Sequence, residues 1–349
     1  MKEKMTTNKI ADIINKINKE SGKFYDFKET HNPRLPADFW FQHPPEGLTL
    51  FLILYTRACR WARCLGCNLP SLQSQFDVPF NDIMKQVDYI FDFVLSREEK
   101  ENLKKIILSN NGSVLDETTF STTALLYFVA KMNMCCPNIS VLTLETRPEY
   151  VDMAELEVLH RALQEGQTPT NLELAVGFEA YNDTIRNEIF DKGLKLETFE
   201  TMVEKIARYE FKLKTYFMLK PVPGLSEKTA IEDIVNGIDY LDSISRKYDL
   251  RINMHLNPTF VAIGTALETE FRNGNYEPPR LASLQKAALA AEKKRISLYL
   301  GLNDENLAVP GGSFIRRGDE QLLEKLHHFN HTGDFSFLKE SMEPSPYSP

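Results

Sequence analysis

The chain has 349 residues, 42% of them hydrophobic, with a formal net charge of −8. This is enough apolar material for a large core, in one α/β domain or two smaller ones, and the acidic balance excludes a broad basic footprint for nucleic acid, leaving a local patch at Arg57, Arg60 and Arg63. Five cysteines make no disulfide framework, the charged start MKEKMTTNKI lacks a signal-peptide core, and the longest apolar run is too short to span a bilayer, so the expected setting is a reducing cytoplasm with no membrane attachment.

In chain order, 48–55 (LTLFLILY) predicts a strand buried on both faces. Residues 81–95 have helical spacing, with Ile83, Val87, Ile90 and Phe93 on one stripe. Strands follow at 105–108, 139–144, 171–176, 212–218 and 251–256, separated by helices at 122–132, 153–163, 196–209 and 230–240. Repeated βα units imply a parallel sheet. Periodicity alone does not choose between a partial barrel and a doubly wound sheet. In both, ligands bind at the C-terminal ends of the strands.

Directly after the first strand runs YTRACRWARCLGCNLPS, which holds Cys59, Cys64 and Cys67. Three thiolates are one short of the closed set that structural zinc or a simple electron-transfer cluster takes. The other cysteines are the adjacent Cys135 and Cys136, and no histidine lies between His43 and His160. The loop therefore leaves a metal position open for another molecule. Polar residues punctuate the later strand ends: Ser109 to Ser113, Glu145 to Glu149, and Gly177 to Ala180 with Arg186 beyond it. Alternation places Lys212, Lys214 and Tyr216 on one face of the fifth strand. On a lumen face a lysine pair is costly unless a substrate phosphate or carboxylate neutralises it. Lys214, Tyr216 and the strand-six His255 are the candidates for catalysis.

The cysteine loop resembles that of the radical SAM superfamily. The gaps of four and then two residues differ from the family's usual three and two. They resemble the branch that contains the Elongator catalytic subunit and the archaeosine-biosynthesis radical SAM protein. Gly66 departs from the bulky residue that packs on adenine in many members, so the adenine needs another wall. The resemblance implies an α/β fold, a partial (β/α)6 barrel over 48–300, with an N-terminal extension at 1–47 and a C-terminal one at 301–349 ending in the disordered tail SMEPSPYSP.

It also implies a [4Fe-4S] cluster on Cys59, Cys64 and Cys67, with S-adenosyl-L-methionine (SAM) on the fourth iron through its amino and carboxylate groups. Asn110, Asn111 and Gly112 stand where the family has a glycine turn for the SAM ammonium. Glu145 and Arg147, then Glu179 and Arg186, resemble segments that hold ribose, amine or carboxylate. Lys192-Gly193 matches a Lys-Gly in these relatives and is equally read as a helix cap. The implied reaction is reductive cleavage of SAM to a 5′-deoxyadenosyl radical that abstracts a substrate hydrogen, fed by a donor such as flavodoxin or ferredoxin. With no second cysteine cluster and no cobalamin-domain signature, lyase, oxidoreductase and transferase outcomes stay open. Net acidity favours a small-molecule substrate, and the archaeosine resemblance keeps a modified base in tRNA as the alternative. A non-catalytic zinc-binding module would need a fourth ligand from afar, such as Cys135.

Overall fold

The structure is a computed structural model that describes residues 25–339 apart from 45, 305 and 306. The tail expected to be disordered, 341–349, and the first 24 residues of the expected N-terminal extension lie outside the described residues. One eight-stranded sheet organises the chain, in the order β1 to β8. Its strands are β1 (Asp38–Gln42), β2 (Leu48–Ile53), β3 (Leu103–Ser109), β4 (Val141–Thr146), β5 (Asn171–Glu179), β6 (Lys212–Leu219), β7 (Ile252–Pro258) and β8 (Ser297–Leu300). β1 pairs antiparallel with β2, and every later pairing is parallel.

Strictly sequential order decides between the two architectures left open by periodicity. A doubly wound sheet reverses its strand order at a switch point, whereas a barrel does not. The sheet is a partial barrel. The six expected strands correspond to β2 through β7. β1, inside the segment read as an extension, and β8 were not expected: one is a short edge strand and the other is four residues long.

The two faces of the sheet differ in chemistry. Leu50, Leu52, Ile106, Leu108, Leu142 and Leu144 share the main core with the helix residues Ile83, Val87, Phe128 and Leu156, all nearly or fully buried. The opposite face carries, in cross-strand register, Glu145, Ala175 and Lys214, then Gly177, Tyr216, His255 and Tyr299. A face left uncovered by helices and lined with polar side chains is the lumen of an open barrel. Helix starts are set locally. Ser96 forms a capping box with Glu99, and Ser121, Asp152, Ser226 and Thr265 each accept a backbone N–H at a helix N-terminus.

One expected helix needs correction. The stretch 81–95 is α-helical only over Phe80–Asp88, and Tyr89–Val94 is a π-helical turn. The wider turn shifts the phase of the helix. Phe93, expected on the buried stripe, is 78% exposed.

Candidate active site

Cys59, Cys64 and Cys67 follow β2 at the C-terminal end of the sheet, half-buried, and none of the five cysteines is in a disulfide. Cys67 N–H donates to Cys64 O (3.1 Å), and Leu65 N–H to Phe190 O (2.9 Å), which ties the loop to the segment after β5. Tyr25 closes the loop from the N-terminal side, its hydroxyl donating to Ala62 O (3.1 Å) and Cys67 O (3.3 Å). Burial, and then the charges of Cys67, Cys64 and Cys59, raise the Tyr25 phenol well above its ordinary value.

The turn after β3 reaches the same place. A Cβ on Gly112 would sit 3.1 Å from Cys59 Cα, so glycine lets this turn pack on the backbone of the first cysteine. Asn111 adopts φ +55°. Asn110 Nδ2 donates to Thr56 Oγ1 (3.1 Å) just before the loop. Asn110 Oδ1 and Asn111 Nδ2 are buried and have no hydrogen-bond partner. Buried polar atoms are normally satisfied, so this pair of orphaned amide atoms beside a cysteine loop fits a polar ligand. The thiolate set, the glycine cradle and the orphaned amides together fit the cluster and SAM.

Beyond β4, Arg147 is almost fully buried. Its Nη2 donates to Lys192 O (3.0 Å), its Nε binds Glu149, and its guanidinium lies 4.8 Å from the centre of the Trp61 ring. Burial works against its charge, but Glu149, Cys64 and Cys59 outweigh it and raise the Arg147 pKa. The Trp61 indole donates to Asp191 O (2.6 Å), and Arg63 pairs with the Asp191 carboxylate (2.7 Å). Glu179, at φ +72° beyond an irregularity in β5, accepts from Lys192 Nζ (2.7 Å). Arg186 is fully buried but is spent within its own turn. It donates to Leu194 O, Ala180 O, Tyr181 O and Asp183.

Below the cysteine loop, the lumen brings the three catalytic candidates together. Tyr216 OH donates to Glu145 Oε1 (2.7 Å), its ring lies 5.3 Å from His255, and His255 lies 4.8 Å from Tyr299. Burial, followed by the charges of Lys214 and Lys105, pulls the His255 pKa from 6.5 to about 3. Lys214 does not wait for a substrate anion, as its burial in a lumen had suggested. Glu173 sits 4.0 Å from it, 2.6 Å from Lys105 and 2.7 Å from Thr143 Oγ1. Lys214 and Lys105 hold Glu173 below the usual carboxylate range against its burial.

Glu173, Lys105 and Tyr25 were missed from sequence, and Lys192 and Gly177 were read there only as part of a Lys-Gly dipeptide and of a strand end. Glu173 and Lys105 had a signal, since each is a charged residue at an alternating position in an apolar strand. Tyr25 had none. Cys135 and Cys136 precede β4, at the opposite end of the strands from the cysteine loop, and burial pushes the Cys136 thiol up to about 12. Among the described residues no three His, Cys, Asp or Glu side chains gather as ligands of a single ion. No helix among the described residues is long and apolar enough to cross a membrane.

The chain is similar to proteins of known structure and to curated proteins of known sequence. No protein-family model matches it. Solved structures similar to it include an archaeal Elp3 from Methanocaldococcus infernus, 15% identical with a TM-score of 0.48, over 72% of this chain and 58% of that one. Another is the radical S-adenosylmethionine methyltransferase TsrM from Kitasatospora setae, 12% identical with a TM-score of 0.42, over 65% of this chain and 39% of that one. The chain thus spans less than two thirds of either solved protein.

In sequence, the chain is similar to two proteins named archaeosine synthase subunit beta. The one from Methanosarcina acetivorans is 29% identical over 77% of this chain and 72% of its own length. The one from Thermococcus kodakarensis is 25% identical over 85% of this chain and 89% of its own. An uncharacterized protein of Methanocaldococcus jannaschii is 24% identical over 85% of this chain and 80% of its own.

Proposed function

We propose that the chain is a radical SAM enzyme that holds a [4Fe-4S] cluster on Cys59, Cys64 and Cys67, takes SAM at the open iron, and binds its substrate in the polar lumen. The observation that carries this reading is the placement of an open three-thiol loop at the C-terminal mouth of a partial barrel, beside the orphaned amides of Asn110 and Asn111. When bound, the cluster and SAM supply a 5′-deoxyadenosyl radical for hydrogen abstraction.

The chain's own residues bind, orient and shield. Cys59, Cys64 and Cys67 hold the iron, and the Gly112 turn braces Cys59 from behind. The Asn110 and Asn111 amides offer one acceptor and one donor to the amino-acid end of SAM. Arg147, stacked on Trp61, offsets thiolate charge. Tyr25 covers the loop from outside and limits water there. In the lumen, Glu145 with Tyr216, Lys214 and His255 present hydrogen-bonding groups to a substrate.

The acidic net charge supports a small molecule as substrate. The likeness to archaeosine synthase subunit beta favours the second reading, a modified nucleoside in tRNA. Anaerobic reconstitution with iron and sulfide tests the site. About four irons per chain are expected for a [4Fe-4S] cluster, lost in Cys64→Ala and kept in Cys135→Ala. A colourless protein that holds one zinc and no sulfide would overturn the proposal.

A further inference from the structure

The three residues Asp191, Lys192 and Gly193 join the cysteine loop to the ends of β4 and β5. Asp191 takes Trp61 on its carbonyl and Arg63 on its carboxylate. Lys192 gives its carbonyl to Arg147 and its ammonium to Glu179. Gly193, at φ +64°, lies so close under Trp61 that a Cβ would stand 2.2 Å from the ring. A segment that only capped a helix would use its backbone alone. This one spends a carbonyl on Arg147, which lies in the field of Cys64 and Cys59, and a buried ammonium on Glu179.

Gly177 shows how closely the ammonium is fitted. A Cβ there would lie 2.4 Å from both Glu179 Oε1 and Lys192 Nζ. The bare backbone of β5 is therefore the floor on which the ion pair rests. Glu179 itself sits at φ +72°, a conformation that a side-chain-bearing residue keeps only when its surroundings enforce it. The pair uses one carboxylate oxygen, Oε1. The strained backbone and the fixed Oε1 together set where the other oxygen of Glu179 is held.

We propose that Lys192, seated on Gly177, is a positioning residue that aims the second carboxylate oxygen of Glu179 at a hydroxyl or amine of the molecule completing the metal site. Lys192 acts through Glu179 and touches neither metal nor ligand. The inference rests on the proposed SAM-binding reading and deepens it. The group recognised is a hydrogen-bond donor on the ligand, because a carboxylate only accepts.

The test measures SAM affinity by calorimetry on the anaerobically reconstituted protein, with iron and sulfide content measured in parallel. Lys192→Met is expected to weaken SAM binding about tenfold to a hundredfold, the range for removing a partner that orients a ligating group, while iron content stays at the wild-type value. Lys192→Arg restores part of the affinity. Gly177→Ala, which drives a methyl between the partners, repeats the Lys192→Met loss. In a Glu179→Gln background, Lys192→Met adds nothing further, as required of a residue that acts through Glu179.

Equal SAM affinity in Lys192→Met and wild type would overturn the positioning role. So would additive losses in the double variant. If the wild-type protein takes up its cluster and binds no SAM, the parent reading of the site fails instead.

Discussion

Glu173 gives the sharpest energetic test of the lumen. Its Oε2 lies 2.6 Å from Lys105 Nζ, 2.7 Å from Thr143 Oγ1 and 4.0 Å from Lys214 Nζ. Glu173→Gln keeps the shape and removes the charge, leaving two ammonium groups facing each other in the barrel. At an effective dielectric constant of about 20, the 4.0 Å contact alone carries about 4 kcal/mol of attraction. Removing one partner of a buried pair costs about 3–5 kcal/mol. The lumen borders solvent at Lys105 and Lys214, so the low end applies and about 3 kcal/mol is expected at pH 7.

The cost also has a ceiling that moves with pH. A lysine that loses its partner can shed its proton instead, at about 1.4 kcal/mol per unit below 10.5. Burial already lowers the Lys214 pKa in the native protein. A folded pKa below the unfolded one means that the unfolded chain binds more protons in the window just under 10.5, so stability rises with pH there. In the variant that window is wider. Its deficit relative to wild type should therefore shrink to about 2 kcal/mol at pH 9, the ceiling set by the remaining units. Urea unfolding followed by far-ultraviolet circular dichroism, at pH 7 and pH 9, measures both values. Lys214→Met placed on Glu173→Gln should recover much of the loss. A deficit under about 0.5 kcal/mol at both pH values, the scale of an ordinary surface change, would refute the buried ion cluster.

His255 imposes the opposite limit. With its pKa near 3 in the folded state and 6.5 unfolded, it stays neutral as pH falls while the unfolded chain takes up a proton. Stability is therefore lost below pH 6.5, by up to about 2 kcal/mol at pH 5. His255→Phe should flatten that part of the stability–pH curve, and an unchanged slope would contradict it. Gly193→Ala puts a side chain into a left-handed position against Trp61. It should cost at least about 1 kcal/mol and change Trp61 fluorescence in a Trp40→Phe background, whereas unaltered emission would show that the loop is not packed this way.

Much of the fold is legible in the sequence because its strands are near-continuous apolar runs of a buried parallel sheet, as in β2 and β5. Strand order is not legible, since apolar runs do not say which neighbours they pair with. Phe93 misled because a π-helical turn is invisible to a fixed helical period. The cysteine loop stands out by residue type alone. Lys192, by contrast, reads as part of a capping dipeptide, and only folding brings it over Gly177, which lies 15 positions earlier. Lys220 adopts φ +61°, a region that favours glycine, which its residue type does not announce. Tyr25 reaches the loop from 37 positions away in sequence, beyond any local pattern.

The central claim is that the three-thiol loop holds a cluster that cleaves SAM. The most direct measurement is 5′-deoxyadenosine by mass spectrometry after the reconstituted protein is reduced with dithionite under anaerobic conditions in the presence of SAM. Wild type should produce it and Cys64→Ala should not. Intact SAM and no 5′-deoxyadenosine from wild-type protein with a full cluster would contradict the account.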